Sequence, residues 1–292
     1  MNHSMITSSV SMHALQQKLD LLSNNIANVN TTGYKRREAS FQDVLTNVNQ
    51  RPQGFRKEGR LSPLGYNLGW GAKLVQEQVN MAQGSLQQTD NPLDLAIEGD
   101  GLFEVSVVSR DANNNLVPQS RWTRNGSFAI SPSVDPQYPD SMMLTTKDGQ
   151  FVLGTDNNPI RIPKNYSVKI GTDGAVMAYN DADKTAPPVP AGQLKLVRAI
   201  RPRLLQPLGD NLYGLPDNIM NNPQRLQEIL QPVTAGNNAD PVSVKQGFLE
   251  QSNVNLSDEM TELMTVQRAF QLNSRAITSS DQMMNLANTL RV

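Results

Sequence analysis

The sequence predicts an α+β protein in which a mainly-β central domain lies between two long amphipathic helices that pair with each other as a coiled coil. Apolar residues recur every three or four positions near both ends of the 292-residue chain, which is the spacing of a helix with one apolar side. Between the ends, apolar and polar residues alternate, and Asn-Gly and Asp-Gly pairs interrupt the alternation. This second pattern is typical of antiparallel strands joined by tight turns.

The N-terminal helix is predicted over residues 5–29. Its apolar residues alternate three and four positions apart, as at the core positions of a coiled coil; they are Met12, Leu15, Leu19, Leu22, Ile26 and Val29. Residues 30–33, NTTG, are predicted to end the helix, because Gly33 suits the left-handed conformation that closes many helices. We expect this apolar side to be an assembly interface.

The C-terminal helix is predicted over the last forty residues or so. Ser257 is the predicted N-cap, and Asp258 and Glu259 follow in the first turn, where carboxylates interact favourably with the helix dipole. The predicted interface residues on this helix are Met260, Leu263, Val266, Phe270, Ile277 and Met284. One such helix alone is typical of a local core, but a helix at each end of a β-rich chain favours an oligomeric interface.

A compact antiparallel β domain is predicted over residues 91–200. Residues 121–130 have the pattern of a strand, an Asn125-Gly126 turn and a second strand. Residues 172–174, TDG, are predicted to join two further strands. Residues 193–200 are another strand candidate.

The predicted organisation has three parts. Residues 1–45 and 247–292 form a terminal-helix assembly domain, and residues 91–200 form the β domain. Residues 46–90 are an extended connector, rich in Asn, Gln, Arg, Pro and Gly over much of its length, and residues 201–246 are the return segment. A short helix is predicted within the return segment, over residues 224–230.

Composition bears on the class of function. The formal net charge is −1, whereas nucleic-acid-binding domains usually carry a basic excess. The chain has no cysteine and two histidines, His3 and His13, so a metal or triad site would have to be built around one of those two residues. No phosphate-binding loop or catalytic signature matches. We therefore expect no enzyme activity, cofactor, metal, nucleic acid or small-molecule substrate.

Two charged clusters have structural explanations. Asp90, Asp94, Glu98 and Asp100 could suggest a cation site or a glycosidase pair, but their Gly and Pro neighbours favour turns and strand ends. The basic run at residues 34–37, YKRR, is short, and we expect it to be a solvated segment after the helix.

Export through the general secretory route is not predicted. A signal peptide needs a basic region followed by an apolar stretch, and Ser and Asn interrupt each apolar run near the N-terminus. No segment approaches the roughly 18 apolar residues that a membrane span needs.

Several motifs together resemble the flagellar rod and hook family. The N-terminal motif is residues 23–35, SNNIANVNTTGYK, and the C-terminal motif is residues 246–255, QGFLEQSNVN, continued by TVQRAFQLNS at 265–274 and DQMM at 281–284. Between them lie GSLQQTDNPLDLAI at 84–97, GDGLF at 99–103, TRNGSF at 123–128 and GDNLY at 209–213. The length favours a proximal or distal rod protein over the larger hook protein, and the first residues are similar to rod homologues of Gram-positive bacteria.

The resemblance implies a structural subunit of the flagellar basal-body rod, needed for hook assembly and motility. Family members pass unfolded through the flagellar type III export apparatus into the cell envelope. Their terminal helices form an inner coiled-coil layer and their β domains an outer layer. The implied partners are copies of this chain and other axial rod and hook proteins.

An export element is predicted after the first helix. Phe41 and Leu45 resemble the short Phe-x-x-x-apolar element that the export gate reads in this family. The alternative is that these two residues, four positions apart, line one side of a short helix.

Two other classes of function remain open from the sequence. One is a wall-active enzyme associated with the rod, and the other is a cytosolic coiled-coil adaptor. A wall-hydrolysis assay tests the first, and dependence on secretion tests the second.

Overall fold

The computed structural model describes residues 2–43, 47–48, 67–68, 71–110, 116–133, 141–180, 186–220, 222–233 and 242–290. These residues form an α+β fold that is mostly β, with one long helix near each end. The chain divides into two compact units. The first contains Met1–Ala27, Arg37–Gln78 and Asn255–Val292, and the second contains Asn28–Arg36 and Val79–Val254.

The first unit contains both long helices. It consists of α1 (Asn2–Ala27), β1 (Arg37–Asp43), β2 (Asn47–Val48), β3 (Asn67–Leu68), most of β4 (Ala72–Val79) and, at the other end of the chain, α4 (Leu256–Thr289). Strand β1 pairs with β4, and β2 pairs with β3. The helix predicted over residues 5–29 is confirmed, although it ends at Ala27 and leaves Val29 in the following turn.

The predicted N-cap of the C-terminal helix is wrong by two residues. Helix α4 begins at Leu256, and the Asn255 side chain accepts a hydrogen bond from the Ser257 N–H at 3.1 Å. Asn255 is therefore the cap, because its amide oxygen satisfies a backbone donor that the first turn leaves free. Asp258 and Glu259 lie in the first turn as predicted.

The described residues of the second unit contain the other strands and two short helices. Its elements are β5 (Leu86–Gln88), β6 (Leu95–Glu98), β7 (Leu102–Arg110), β8 (Leu116–Thr123), β9 (Phe128–Pro132), β10 (Ser141–Thr146), β11 (Phe151–Val152), β12 (Arg161–Pro163), β13 (Tyr166–Ile170), β14 (Ala175–Asn180), β15 (Val189–Gln193), β16 (Leu196–Ala199), β17 (Gln206–Gly209), β18 (Leu212–Gly214), α2 (Asp217–Met220), α3 (Pro223–Ile229), β19 (Leu230–Val233), β20 (Ser243–Gln246) and β21 (Phe248–Glu250). A 3₁₀ turn covers Pro202–Leu204.

One large antiparallel sheet dominates this unit. Its strands follow the order β12-β10-β11-β7-β8-β18-β17, with β9 paired to β10, β16 paired to β7, and β19 paired to β16. A second sheet has the order β13-β14-β15, and two further ladders join β20 to β6 and β21 to β5. The predicted turn at residues 172–174 and the short helix near 224–230 are both confirmed.

The hairpin predicted over residues 121–130 is only partly right. Both strands form, but β8 pairs with β7 and β18, whereas β9 pairs with β10. The Asn125-Gly126 pair lies where another segment passes close by: the Leu95 N–H donates to the Gly126 carbonyl at 2.9 Å. A Cβ at Gly126 would lie 1.7 Å from the Leu95 carbonyl oxygen, so glycine is needed here for close packing rather than for a hairpin turn.

Two apolar clusters hold the second unit together. The larger one contains Phe103 and Phe128, whose rings meet edge to face at 5.1 Å. The smaller one surrounds Trp122 and includes Val79, Leu102 and Tyr213. Neither α1 nor α4, nor any other helix in the described part of the chain, has the length and apolar character required to cross a membrane.

Candidate functional site

Helices α1 and α4 pack against each other within the first unit. Leu22 of α1 and Val266 of α4 are buried, and Lys18 of α1 forms an ion pair with Glu262 of α4. The other predicted interface residues on α1 are partly buried: Met12, Leu15, Leu19 and Ile26, as is Val29 beyond its end. On α4, Leu263, Phe270, Ile277 and Met284 are partly buried, whereas Met260 is exposed.

Helix α4 carries a second apolar side, which we call the outer stripe. It comprises Met260, Met264, Leu272, Met283 and Leu286, each about half exposed or more. At 100° per residue, most of these positions lie away from Val266 and Met284 on the helix surface. Of these five residues, only Met260 is among the predicted interface residues. The prediction considers a single apolar side of the helix, and the other four residues lie on a second one.

A buried amide connects the segments of the first unit. The Asn25 side chain is fully buried, accepts a hydrogen bond from the Arg37 N–H at 3.0 Å and donates one to the Arg37 carbonyl at 2.9 Å. It also donates to the carboxylate of Glu259 at 3.1 Å. Asn25 therefore holds the end of α1 to the start of both β1 and α4, which explains a polar residue inside the N-terminal motif.

Three motifs meet in the second unit at a buried ionic cluster, which we call the motif junction. It consists of Lys35, Arg124 and Glu250, from the N-terminal, central and C-terminal motifs respectively. The Lys35 ammonium lies 2.7 Å from one oxygen of Glu250, and the Arg124 guanidinium binds the other. All three side chains are nearly inaccessible to solvent.

The remaining donors of the motif junction bind backbone carbonyls. Lys35 donates to the carbonyl of Ala82 at 2.7 Å. Arg124 donates to the carbonyls of Gly99 at 2.8 Å, Ile97 at 2.9 Å and Gly101. Pairing of this extent is what allows charges to remain ionised in a protein interior.

Burial and the neighbouring charges perturb the pKa values at this junction. Burial lowers the pKa of Lys35 and the nearby Arg124 charge lowers it further, so the attraction of Glu250 does not restore it. For Glu250, burial acts to raise the pKa, but the charges of Arg124 and Lys35 outweigh burial and hold it below the usual value. The carboxylate is thus stabilised in its charged form.

The backbone around the junction is equally constrained. Gly33 has φ +70°, and a Cβ there would lie 2.5 Å from the Asn125 nitrogen, so this position requires glycine. The Gly33 N–H donates to the Glu250 carbonyl at 2.8 Å. The Asn253 side chain accepts from the Arg36 N–H at 2.7 Å and donates to the Asn80 carbonyl at 3.0 Å.

The expectation that residues 34–37 form a solvated segment is wrong for Tyr34 and Lys35, which are both buried. Their sequence neighbours are polar, so local composition did not reveal the carboxylate that arrives 215 positions later at Glu250. The available signal was that Lys35, Arg124 and Glu250 each lie inside a separate family motif.

Two of the acidic residues at 90–100, Asp94 and Glu98, have structural roles of the kind predicted. Asp94 accepts a hydrogen bond from the Asn91 side chain at 3.0 Å, across the turn at residues 92–93. Glu98 pairs with Lys245 at 2.9 Å and accepts from Ser243. No group of acidic or histidine side chains suited to a metal ion occurs within the described ranges.

Phe41 lies in strand β1, so the alternative of a short helix through this residue is wrong. Its ring is partly exposed, with the Lys18 ammonium 5.4 Å from the ring centroid. Leu45 lies outside the described residues.

The motif residues at these positions bind one another and the backbone, joining segments that are distant in sequence. These contacts stabilise the fold of the chain itself, which is the role expected of residues in a structural framework. Three family models match the sequence of this chain. They are "Flagella basal body rod protein" over residues 7–35, "Flagellar hook protein FlgE/F/G D1 domain" over 96–178, and "Flagellar basal body rod FlgEFG protein C-terminal" over 245–290.

Curated relatives match over nearly the whole chain. A flagellar basal-body rod protein FlgG from Borreliella burgdorferi is 33% identical, covering 98% of this chain and 97% of its own. A flagellar hook-basal body complex protein FlhP from Bacillus subtilis is 32% identical over the full length of both, and FlgG from Caulobacter vibrioides is 31% identical over 98% of both.

The chain belongs to the flagellar basal-body rod protein family. It is a structural subunit of the rod and is located in the flagellar basal body. The family and function that the motifs predicted are thereby confirmed.

Proposed function

We propose that this subunit is an axial building block that transmits torque along the rod, supports hook assembly and motility, and has no catalytic role. It assembles with copies of itself and with other axial rod and hook proteins after delivery by the flagellar type III export apparatus. The observation that carries the proposal is the outer stripe of α4, an apolar surface exposed in a single subunit.

The division of labour within the chain is also proposed. The terminal regions, residues 1–45 and 247–292, act in assembly, and α1 and α4 pair as a coiled coil there. The β domain at 91–200 forms the outer part of the rod, connected through residues 46–90 and 201–246.

Burial of the outer stripe would favour association. Covering one Leu or Met side chain is worth about 1.5–3 kcal/mol, and a contact that does not close on itself repeats along a filament. Leu272 and Leu286 are each 64% exposed, so both have most of this gain still available in the single subunit.

Substitution of an exposed stripe residue tests the role of α4. Leu272→Asp would place an unpaired charge in the assembled interface while leaving the monomer intact. We expect normal secretion, an unchanged melting curve, and loss of the subunit from purified hook-basal bodies with loss of motility. Ser274→Asp, an exposed polar site two residues away, is the matched control. Normal incorporation of Leu272→Asp would contradict the proposal.

A second variant tests the export element. Phe41→Ala combined with Leu45→Ala is expected to lower secretion of the subunit while leaving its intracellular amount unchanged. Gln42→Ala alone is the comparison, because Gln42 is a neighbouring exposed residue outside the proposed element, and it should be secreted normally. Secretion of the double variant at the wild-type level would remove the assignment of Phe41 and Leu45.

A further inference from the structure

Burial of Lys35 depends on a residue near the other end of the chain. Lys35 belongs to the N-terminal segment, Asn28–Arg36, which lies in the second unit. Its ammonium contacts the carbonyls of Met81 and Ala82 and the carboxylate of Glu250. Glu250 is the anion in direct contact, and Asp100 acts only through longer-range attraction. Without Glu250 the buried ammonium would lose its paired charge, which is strongly unfavourable.

The same carboxylate serves a second buried cation. Arg124 follows β8, and besides Glu250 its guanidinium binds the carbonyls of Ile97, Gly99 and Gly101. One carboxylate is therefore paired with two cations from different parts of the chain.

Residues 243–253, which we call the closing segment, also complete the backbone pairing. Among the described strands, β6 pairs with β20 alone and β5 with β21 alone. The closing segment accepts the Gly33 N–H through the Glu250 carbonyl and the Arg36 N–H through the Asn253 side chain. The N-terminal segment therefore needs the closing segment both to pair the charge of Lys35 and to accept the N–H groups of Gly33 and Arg36.

We propose that Glu250 acts as a completion latch: the N-terminal segment docks onto the rest of the second unit only once the closing segment is in place. In a chain whose closing segment is not yet in place, Lys35 remains in water and the connection that follows α1 stays undocked. The consequence for assembly rests on the proposed export of an unfolded chain, since the latch would delay docking until the last strands have been delivered.

Amide exchange in the full-length protein tests the latch. The Asn80 N–H donates to the Arg36 carbonyl at 2.8 Å, so it reports docking of the N-terminal segment without touching Glu250. In Glu250→Gln we expect exchange at Asn80 to accelerate by about a hundredfold, while the Glu104 N–H, bonded to the Lys195 carbonyl, changes much less. Glu228→Gln is the matched control, because its ion pair with Arg201 is exposed and lies outside the closing segment, and Asn80 should be unaffected.

A second substitution keeps the test decisive if Glu250→Gln folds poorly. Lys35→Met removes the uncompensated ammonium, so Lys35→Met with Glu250→Gln should exchange more slowly at Asn80 than Glu250→Gln alone. Wild-type exchange at Asn80 in Glu250→Gln, or no improvement in the double variant, would overturn the proposal.

Refolding tests the order of events. In pulse-labelled refolding of the purified wild-type chain, Asn80 should gain protection in the same phase as the Gln251 N–H, which bonds to the Ser85 carbonyl at 2.8 Å in the closing segment. Earlier protection of Asn80 would refute the latch. Because no export apparatus is present, this outcome is separate from failure of the proposed export, which the secretion assay measures.

Discussion

Glu250 illustrates how a single carboxylate organises residues that sequence separates. It binds Lys35 and Arg124 through its side chain and Gly33 through its carbonyl. Removing one partner of a buried ion pair costs about 3–5 kcal/mol, because the remaining charge is left unpaired. Loss of one member of the cluster therefore lowers the free energy of unfolding, whereas replacement of all its members by apolar residues need not lower it.

The pH dependence of this cluster is the prediction at the residue scale. The folded pKa of Glu250 lies below its ordinary value of 4.5, so its stabilisation is complete above pH 4.5 and is lost as the pH falls through the folded pKa. Lys35 titrates at higher pH. Because its pKa is lower in the folded than in the unfolded chain, the free energy of unfolding rises as the pH climbs through the folded pKa toward 10.5, which is outside the acid range. We expect wild type and Glu250→Gln to differ by about 3–5 kcal/mol near neutral pH and to converge in acid.

The measurement is urea unfolding followed through Trp122, which is buried in the second unit, in a Trp70→Phe background. Glu228→Gln provides the comparison, since its ion pair with Arg201 is exposed and its removal should leave neutral-pH stability nearly unchanged. A difference between wild type and Glu250→Gln that is constant across the acid range would exclude Glu250 as the titrating group.

At the scale of elements, α4 is a helix with two apolar sides. Its inner side packs on α1 around Val266, and its outer stripe is exposed. Sequence periodicity identifies apolar positions but does not say which neighbour covers each one. This is why Met260, predicted with the inner residues, lies on the outer stripe.

Truncation of one residue from each helix should separate the two environments. Leu22 is 2% exposed, so Leu22→Ala should destabilise the first unit by about 2–5 kcal/mol. Leu272→Ala, at an exposed position, should change monomer stability little. Thermal unfolding followed by far-ultraviolet circular dichroism measures both. Equal destabilisation by the two changes would mean that the outer stripe is also covered within the single subunit.

At the scale of the whole molecule, the two units differ in how completely they bury their side chains. Gly101 to Ser106 are buried without interruption in and beside β7, whereas most of the described residues of α4 are exposed. Local opening is easier where fewer apolar side chains are buried.

We therefore expect amide exchange in the isolated subunit to be faster in residues 1–30 and 257–292 than in residues 91–200. Hydrogen exchange followed by mass spectrometry measures this directly, and assembled rods provide the comparison, in which the helices should become protected. Uniform protection of the isolated chain would show that the helices do not need neighbouring subunits for order.

The sequence by itself determined the features that depend on neighbouring residues: both long helices, the acidic first turn of α4, the turn at 172–174, and the family, through its motifs. Tertiary structure decided what depends on residues far apart in the chain. The Asn125-Gly126 pair packs against Leu95 instead of closing a hairpin, and Lys35 is buried because Glu250 reaches it. Helix and turn preferences depend on residues that are close in sequence. A close backbone contact or a countercharge comes from a distant segment that the fold places nearby, and local sequence patterns do not identify that segment.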